Sequence, residues 1–89
     1  MIRFEVTVKA AGGLHARPAA LLVNIAAKSQ SQVTVTRSLD EKQADGKSIL
    51  GILTLGAGRG EQLIITVEGP DEEQVAHALQ ELFEQPEES

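Results

Sequence analysis

Residues 1–37 read MIRFEVTVKAAGGLHARPAALLVNIAAKSQSQVTVTR and switch twice between the hydrophobic periods of strands and helices. Residues 2–9 alternate apolar with polar side chains, which predicts a strand with one buried face. Residues 16–28 are strong helix formers, and Pro18 suits a first helical turn. The apolar stripe of this helix is predicted to contain Leu21, Leu22, Ile25 and Ala26. Alternation returns at residues 32–37, where β-branched residues predict a second strand.

The second half of the chain continues this alternation of strands and helices. A short strand is predicted near residues 41–44, and the apolar run after Ser48 predicts a short helix capped by that serine. Residues 63–67 are apolar enough to form a central strand. A last helix is predicted to start within residues 69–73, with acids in its first turn. Its apolar positions are Val75, Leu79, Leu82 and Phe83. Residues 86–89 are expected to fray.

This order of elements predicts a single α+β domain over residues 1–89, an open-faced sandwich with helices on one face of a largely antiparallel sheet. Thirteen acidic residues against eight basic ones give a net charge of −5, which argues against binding to nucleic acid or to an anionic membrane. Cysteine is absent, which excludes disulfides and thiolate metal sites. Neither a signal peptide nor a membrane-length apolar run is evident, so the cytoplasm is the expected location.

Two glycine-containing segments resemble phosphate-binding loops but lack required residues. The segment 44–48, Ala-Asp-Gly-Lys-Ser, would need a glycine at position 41, which is Glu41. The segment 56–60 lacks a third glycine, because position 61 is Glu61, and a strand rather than a helix follows it. Nucleotide binding is therefore not predicted, and no cofactor is expected.

His15 is the residue most suited to chemistry. It stands at a loop-to-helix junction, where the free N–H groups and the dipole of the helix favour an anion. Neutral imidazole is a nucleophile near physiological pH. Arg17 could give charge-assisted hydrogen bonds to a phosphate on that ring. The alternative is that His15 only caps the helix, and the residues alone do not separate the two. The second histidine, His77, lies mid-helix and suits a structural or solvent-facing role. No acidic spacing completes a metal site around either imidazole.

The run Gly13-Leu14-His15-Ala16-Arg17-Pro18-Ala19 resembles the active-site signature of the HPr family, the histidine-containing phosphocarriers of the bacterial sugar phosphotransferase system. A second segment, residues 47–56, resembles the regulatory-serine region of that family. Chain length and element order are similar throughout. The resemblance implies a four-stranded antiparallel sheet with three helices on one face.

The resemblance also implies a function. His15 would accept a phosphoryl group at Nδ1, the pros nitrogen, from phosphorylated enzyme I, which obtains it from phosphoenolpyruvate. The carrier would pass the group to IIA domains of sugar transporters. Arg17 would assist the transfer, with Ala16 and Pro18 supporting the site. Such a protein is a relay that partner enzymes phosphorylate, not itself an enzyme, and a monomer is expected.

Ser48 matches the serine that HPr kinase/phosphorylase modifies in this family. A phosphate there would add about −1.5 to −2 charges and weaken docking at the adjacent apolar patch. That patch is predicted to contain Ile49, Leu50, Ile52 and Leu53. The kinase and a catabolite-control regulator are further partners that the resemblance implies. The alternative is that Ser48 only caps its helix.

The chain departs from the family pattern at two places. Position 12, often Ser or Asn in the family, is Gly12, and methionines common in the second segment are replaced by Leu50 and Leu53. Two other functions stay open: a nitrogen-related phosphocarrier paralogue with different partners, and a regulator that only docks to other proteins.

Overall fold

The computed structural model of the protein describes residues 1–84, so the predicted fraying of residues 86–89 lies outside the described part. Seven elements follow one another along the chain. They are β1 (Ile2–Thr7), α1 (Ala16–Ala27), β2 (Gln32–Arg37), β3 (Gln43–Asp45), α2 (Ile49–Leu55), β4 (Gln62–Glu68) and α3 (Glu72–Glu84). The predicted fold class, four antiparallel strands with three helices, is confirmed.

The strands form one antiparallel sheet in the order β1-β4-β2-β3. As predicted for the most apolar strand, β4 lies inside the sheet, because β1 and β2 pair with its two edges. The register places Ile65 between Phe4 and Val35, and Val67 opposite Val33. These side chains share one face because successive residues of a strand point to opposite faces.

The three helices cover that face and complete an aliphatic core. Buried helical residues are Ala19, Leu22 and Ala26 of α1, Ile52 and Leu55 of α2, and Val75, Ala76, Leu79 and Phe83 of α3. The opposite face of the sheet carries mostly polar residues such as Glu5, Thr34 and Thr36, and none of the helices described in residues 1–84 packs on it. Within residues 1–84 no helix combines the length and the apolar character needed to cross a bilayer.

Two details differ from the predictions. The predicted apolar stripe of α1 includes Leu21, but Leu21 is 47% exposed, whereas the adjacent Leu22 is fully buried. Neighbouring helical residues point about 100° apart, so only one of the two leucines can face the sheet. Strand β3 was predicted at residues 41–44 but begins at Gln43. Glu41 has a φ of 62° and its N–H donates to the Arg37 carbonyl, which makes it part of the preceding turn.

Two carboxylates fix the start of α3. Asp71 accepts hydrogen bonds from the Ser31 hydroxyl and from the Gln30 N–H. Glu72 accepts from the Gly69 N–H at 3.1 Å and from the Met1 amino group at 3.1 Å. The hydrogen bond from the Ser31 hydroxyl, followed by that from Gln30, lowers the pKa of Asp71. The Gly69 N–H, followed by the Met1 amine, lowers the pKa of Glu72.

Candidate functional site

The loop before α1 is held by backbone hydrogen bonds. Gly13 adopts a φ of 77°, a left-handed conformation that suits glycine. The Leu14 N–H donates to the Ala57 carbonyl at 2.8 Å, and the His15 N–H donates to the Gly13 carbonyl at 2.8 Å. His15 is extended, with φ −90° and ψ −166°, and its carbonyl accepts from the Ala19 N–H. His15 is therefore the N-cap residue by backbone, and the helix begins at Ala16.

The imidazole of His15 does not serve as a cap. It is partly buried and makes no hydrogen bond to the helix N-terminus, so the predicted capping role of His15 is confirmed for its backbone and not for its side chain. Within residues 1–84 the N–H groups of Ala16 and Arg17 have no acceptor, and Pro18 has no N–H. Two unpaired amides and the positive end of the helix dipole thus lie at the residue that carries the imidazole.

The orientation of the ring follows from its contact with Gly12. A Cβ atom built at position 12 would stand 2.8 Å from Cδ2, 3.4 Å from Nε2 and 3.6 Å from Cγ of His15. The Cδ2 edge of the imidazole therefore faces Gly12. Nδ1 lies across the ring from that edge, so it faces away from the Gly12 backbone.

The neighbouring predicted residues lie around this junction. Arg17 is exposed, and its guanidinium makes no hydrogen bond or ion pair within the described residues. Ala16 is exposed and Pro18 is partly buried. The structure thus places Arg17 at the same helix start as His15, and within residues 1–84 no hydrogen bond joins the two side chains. Across residues 1–84, no three His, Asp or Glu side chains converge to form a metal site.

Ser48 is the N-cap of α2. Its Oγ accepts a hydrogen bond from the Gly51 N–H at 3.0 Å, so the predicted capping role is confirmed. The cap fixes the start of a seven-residue helix whose outer side is apolar.

Three of the four residues predicted to form the apolar patch are exposed. The exposed fractions are 41% for Ile49, 72% for Leu50 and 38% for Leu53. Ile52 is fully buried in the core, so its inclusion in an exposed patch is corrected. Leu50 lies two positions before Ile52 and faces the opposite side, because the helix turns by about 100° per residue. We call Ile49, Leu50 and Leu53 the α2 surface. Helix α1, which carries the exposed Leu21, packs beside α2.

Two residues that the sequence pattern does not single out, Arg37 and Glu61, bring their side chains together next to the C-terminal end of α2. Arg37 Nη1 donates to the Leu55 carbonyl at 2.7 Å, and Glu61 Oε2 accepts from the Gly58 N–H at 2.9 Å. The sequence does contain one indication of this pair. Arg37 is a charged residue at the third core-facing position of β2, and the other two positions on that face are buried.

Comparisons with known proteins agree over nearly the whole chain. The family model described as "PTS HPr component phosphorylation site" matches residues 2–85. The phosphocarrier protein HPr of Treponema pallidum is 39% identical over 84 residues, covering 94% of this chain and 93% of the relative. The crystal structure of HPr-C-His from Thermoanaerobacter tengcongensis aligns with a TM-score of 0.88 at 43% identity, covering 94% and 92% of the two chains. A structure described as an HPr dimer from the same organism aligns with a TM-score of 0.72 at 43% identity over 94% of each chain.

The fold and the matched phosphorylation site define a class of protein, the small phosphoryl-carrying components of the phosphotransferase system. Within that class, the chain belongs to the HPr family of phosphocarriers. The printed descriptions of the family model and of the relatives name a phosphorylation site and a phosphocarrier.

Proposed function

We propose that His15 accepts a phosphoryl group at Nδ1 from phosphorylated enzyme I and passes it to IIA domains of sugar transporters. The observation that carries this proposal is the geometry of the junction. The imidazole turns its Cδ2 edge to Gly12, leaving Nδ1 on the opposite side, and the N–H groups of Ala16 and Arg17 are unpaired within residues 1–84. A nucleophile and an anion site thus lie at one helix start.

The transfer is an exchange of one phosphorus bond for another. The Nδ1 lone pair attacks phosphorus, and a nitrogen–phosphorus bond forms at His15 while the bond from phosphorus to the donor breaks. The reverse exchange delivers the group to the acceptor. The N–H groups of Ala16 and Arg17 and the Arg17 guanidinium would donate to the phosphoryl oxygens.

The expected stabilisation suits a carrier. A helix N-terminus stabilises an anion by about 0.3–1 kcal/mol, and by up to about 2 kcal/mol when the site is partly buried. This raises the occupancy of the phosphorylated state without trapping it. A carrier has to release the group again, so a shallow site is more useful than a deep one.

The α2 surface is the docking surface of this proposal. Ile49, Leu50 and Leu53 are exposed, and Leu21 is exposed on the adjoining helix, so enzyme I and IIA domains could bury apolar area there. Phosphorylation of Ser48 by an HPr kinase/phosphorylase would place charge at the edge of this surface and weaken docking, including that of a catabolite-control regulator. The protein would act in the cytoplasm as a monomer.

The test is the intact mass of the protein after incubation with phosphoenolpyruvate, Mg²⁺ and enzyme I. His15→Ala removes the acceptor, and His77→Ala is its matched control because His77 is exposed on α3. We expect the wild type and His77→Ala to gain one acid-labile phosphate and His15→Ala to gain none. Transfer from the labelled protein to a IIA domain then tests the second half-reaction.

Other results would redirect the proposal. Labelling of His15→Ala would place the phosphate elsewhere. If the wild type stays unlabelled while a known carrier is labelled in the same tube, the donor differs or the protein acts by docking alone. Labelling by a nitrogen-related enzyme I in preference to the sugar-branch enzyme would assign the chain to that paralogous branch.

A further inference from the structure

A partly shielded ion pair joins the end of β2 to the start of β4. Arg37 shares the core-facing side of β2 with Val33 and Val35, and its side chain is 17% exposed. Its Nε lies 3.3 Å from Glu61 Oε1 and 3.4 Å from Asp40 Oδ1. Arg37 Nε and Glu61 Oε1 are buried and make no hydrogen bond within residues 1–84, so the attraction between them is electrostatic. A pair withdrawn from solvent is screened less by salt than an exposed one.

Both side chains hold the segment that runs from the end of α2 to residue 58. Arg37 Nη1 donates to the carbonyls of Leu55, at 2.7 Å, and Gly56, at 3.3 Å. The last carbonyls of a helix have no intrahelical donor, so the Arg37 side chain supplies one at the C-terminus of α2. A cation at this end also interacts favourably with the helix dipole. Glu61 Oε2 accepts from the Gly58 N–H at 2.9 Å. The two residues therefore fix both ends of residues 55–58.

The held segment in turn supports the loop before His15. The Ala57 carbonyl, which is bracketed by those contacts, accepts the Leu14 N–H at 2.8 Å. Gly13 packs directly on the segment, since a Cβ atom at position 13 would stand 2.7 Å from the Ala57 oxygen and 3.0 Å from Gly58 Cα. A shift of residues 55–58 would therefore move the backbone on which the His15 imidazole is carried.

We propose that Arg37 and Glu61 are positioning residues for phosphoryl transfer at His15, an inference that rests on the proposed function. Within residues 1–84 neither side chain makes a hydrogen bond or ion pair with His15. They act through residues 55–58, which end α2 and also hold Leu14. The pair thereby keeps the nucleophile and the α2 surface in one fixed arrangement, which a docked partner requires for in-line transfer.

The test compares Arg37→Gln and Glu61→Gln with charge-matched controls. Arg59→Gln removes the same charge from an exposed residue of the neighbouring turn, and Glu5→Gln does so on the uncovered sheet face. The first readout is amide hydrogen exchange at Leu14, measured against the core amide of Val35. The second is the rate of His15 phosphorylation by enzyme I, resolved into the maximal rate and the KM for the carrier.

We expect the two test variants to exchange the Leu14 amide faster than wild type while the Val35 amide is unchanged. We expect their maximal phosphorylation rate to fall by about tenfold with a smaller change in KM, because misplacement of a reacting group acts mainly on the bound complex. The double variant should lose no more than the worse single variant, since the two residues act as a unit. Arg37→Lys should restore part of the rate, and it also serves if Arg37→Gln fails to fold.

The inference is overturned if folded Arg37→Gln and Glu61→Gln show wild-type exchange at Leu14. It is equally overturned if exchange increases but the phosphorylation rate stays at the control level. Failure of the proposed function has a different signature, because the wild type itself would then remain unphosphorylated while the exchange measurement still reports whether the pair holds the loop.

Discussion

Gly12 lies against the imidazole of His15 so closely that a Cβ atom at position 12 would stand 2.8 Å from the ring carbon Cδ2. Gly12 is not among the residues with positive φ, so an added methyl group brings no backbone strain there. The missing side chain therefore has one evident role, which is to make room for the imidazole in its present orientation.

Gly12→Ala should push the ring away from the backbone. Because Cδ2 has to retreat, Nδ1 moves with it, and we expect the rate of His15 phosphorylation to fall by about threefold to tenfold. The ring signals of His15 in NMR spectra should shift in the same variant. Ala11→Ser, a change at the exposed neighbouring position, should leave both unchanged. Unchanged ring signals in Gly12→Ala would contradict the steric account.

Comparison of Gly12→Ser with Gly12→Ala separates the steric effect of an added Cβ atom from the effect of an added hydrogen-bonding hydroxyl. It adds the same Cβ as alanine together with a hydroxyl that could donate to a phosphate on His15. We expect its phosphorylated form to hydrolyse more slowly than that of Gly12→Ala, as followed by the decay of the phosphorylated mass. Equal lifetimes would mean that the hydroxyl does not reach the phosphoryl oxygens.

Stability should fall in acid because Asp71 and Glu72 have lowered pKa values in the folded protein. Their ordinary values are 3.8 and 4.5. A carboxyl group with a lower pKa in the folded state stabilises the fold above its ordinary pKa, and this contribution is lost as the pH falls through the folded-state value. We expect the free energy of unfolding to be constant near neutral pH and to decline below about pH 4.5.

Urea unfolding at several pH values measures this decline. Asp71→Asn and Glu72→Gln should make it shallower, whereas Glu73→Gln, at an exposed neighbour, should leave its slope close to that of the wild type. An unaltered acid dependence in Asp71→Asn would show that the Ser31 hydroxyl does not favour the ionised carboxylate.

Ser48→Ala should destabilise the protein by about 1 kcal/mol, because the Gly51 N–H loses its side-chain acceptor. Ser48→Asp should retain most of the wild-type stability, since aspartate is an equally good N-cap. Chemical denaturation measures both. The aspartate variant should nonetheless be a poorer substrate of enzyme I, because its charge borders the α2 surface. Equal stability of Ser48→Ala and wild type would refute the capping contribution.

Ile52→Ala should affect the stability of the protein, whereas Leu50→Ala should affect its docking to enzyme I. Ile52 is fully buried, so its truncation should cost about 2–5 kcal/mol of unfolding free energy. Leu50 is 72% exposed, so its truncation should change stability by no more than about 0.5 kcal/mol. The KM for enzyme I should instead rise in Leu50→Ala. If Ile52→Ala is as stable as the wild type but docks poorly, Ile52 belongs to the docking surface and not to the core.

The strands and long helices were predictable because their hydrophobic periods are unambiguous. Strand β2 and helix α3 each show one clean period, and both lie close to where the pattern placed them. The start of β3 was not predictable to the residue, since the left-handed φ of Glu41 depends on the turn that follows Arg37. Local pattern does not encode that constraint.

The site was predictable only where it is local in sequence. His15 and Ser48 could be singled out because a helix start has its own composition and its own unpaired groups. Ile52 was wrongly predicted to be exposed because α2 is apolar on all its sides. Hydrophobic periodicity therefore cannot distinguish the buried side of this helix from its exposed side. Arg37 and Glu61 were missed because the sheet register, not their sequence neighbours, brings them together.

The uncovered face of the sheet is a suitable place for site-specific labelling of the protein. The chain has no cysteine, so a single Thr36→Cys substitution on that face would create a unique thiol for a fluorophore or a surface linkage. The fluorophore would lie on the side of the sheet opposite the helices, and so opposite His15 at the start of α1 and the α2 surface. Binding of a partner could then be followed in real time, or the carrier immobilised in a uniform orientation, without altering His15 or the α2 surface.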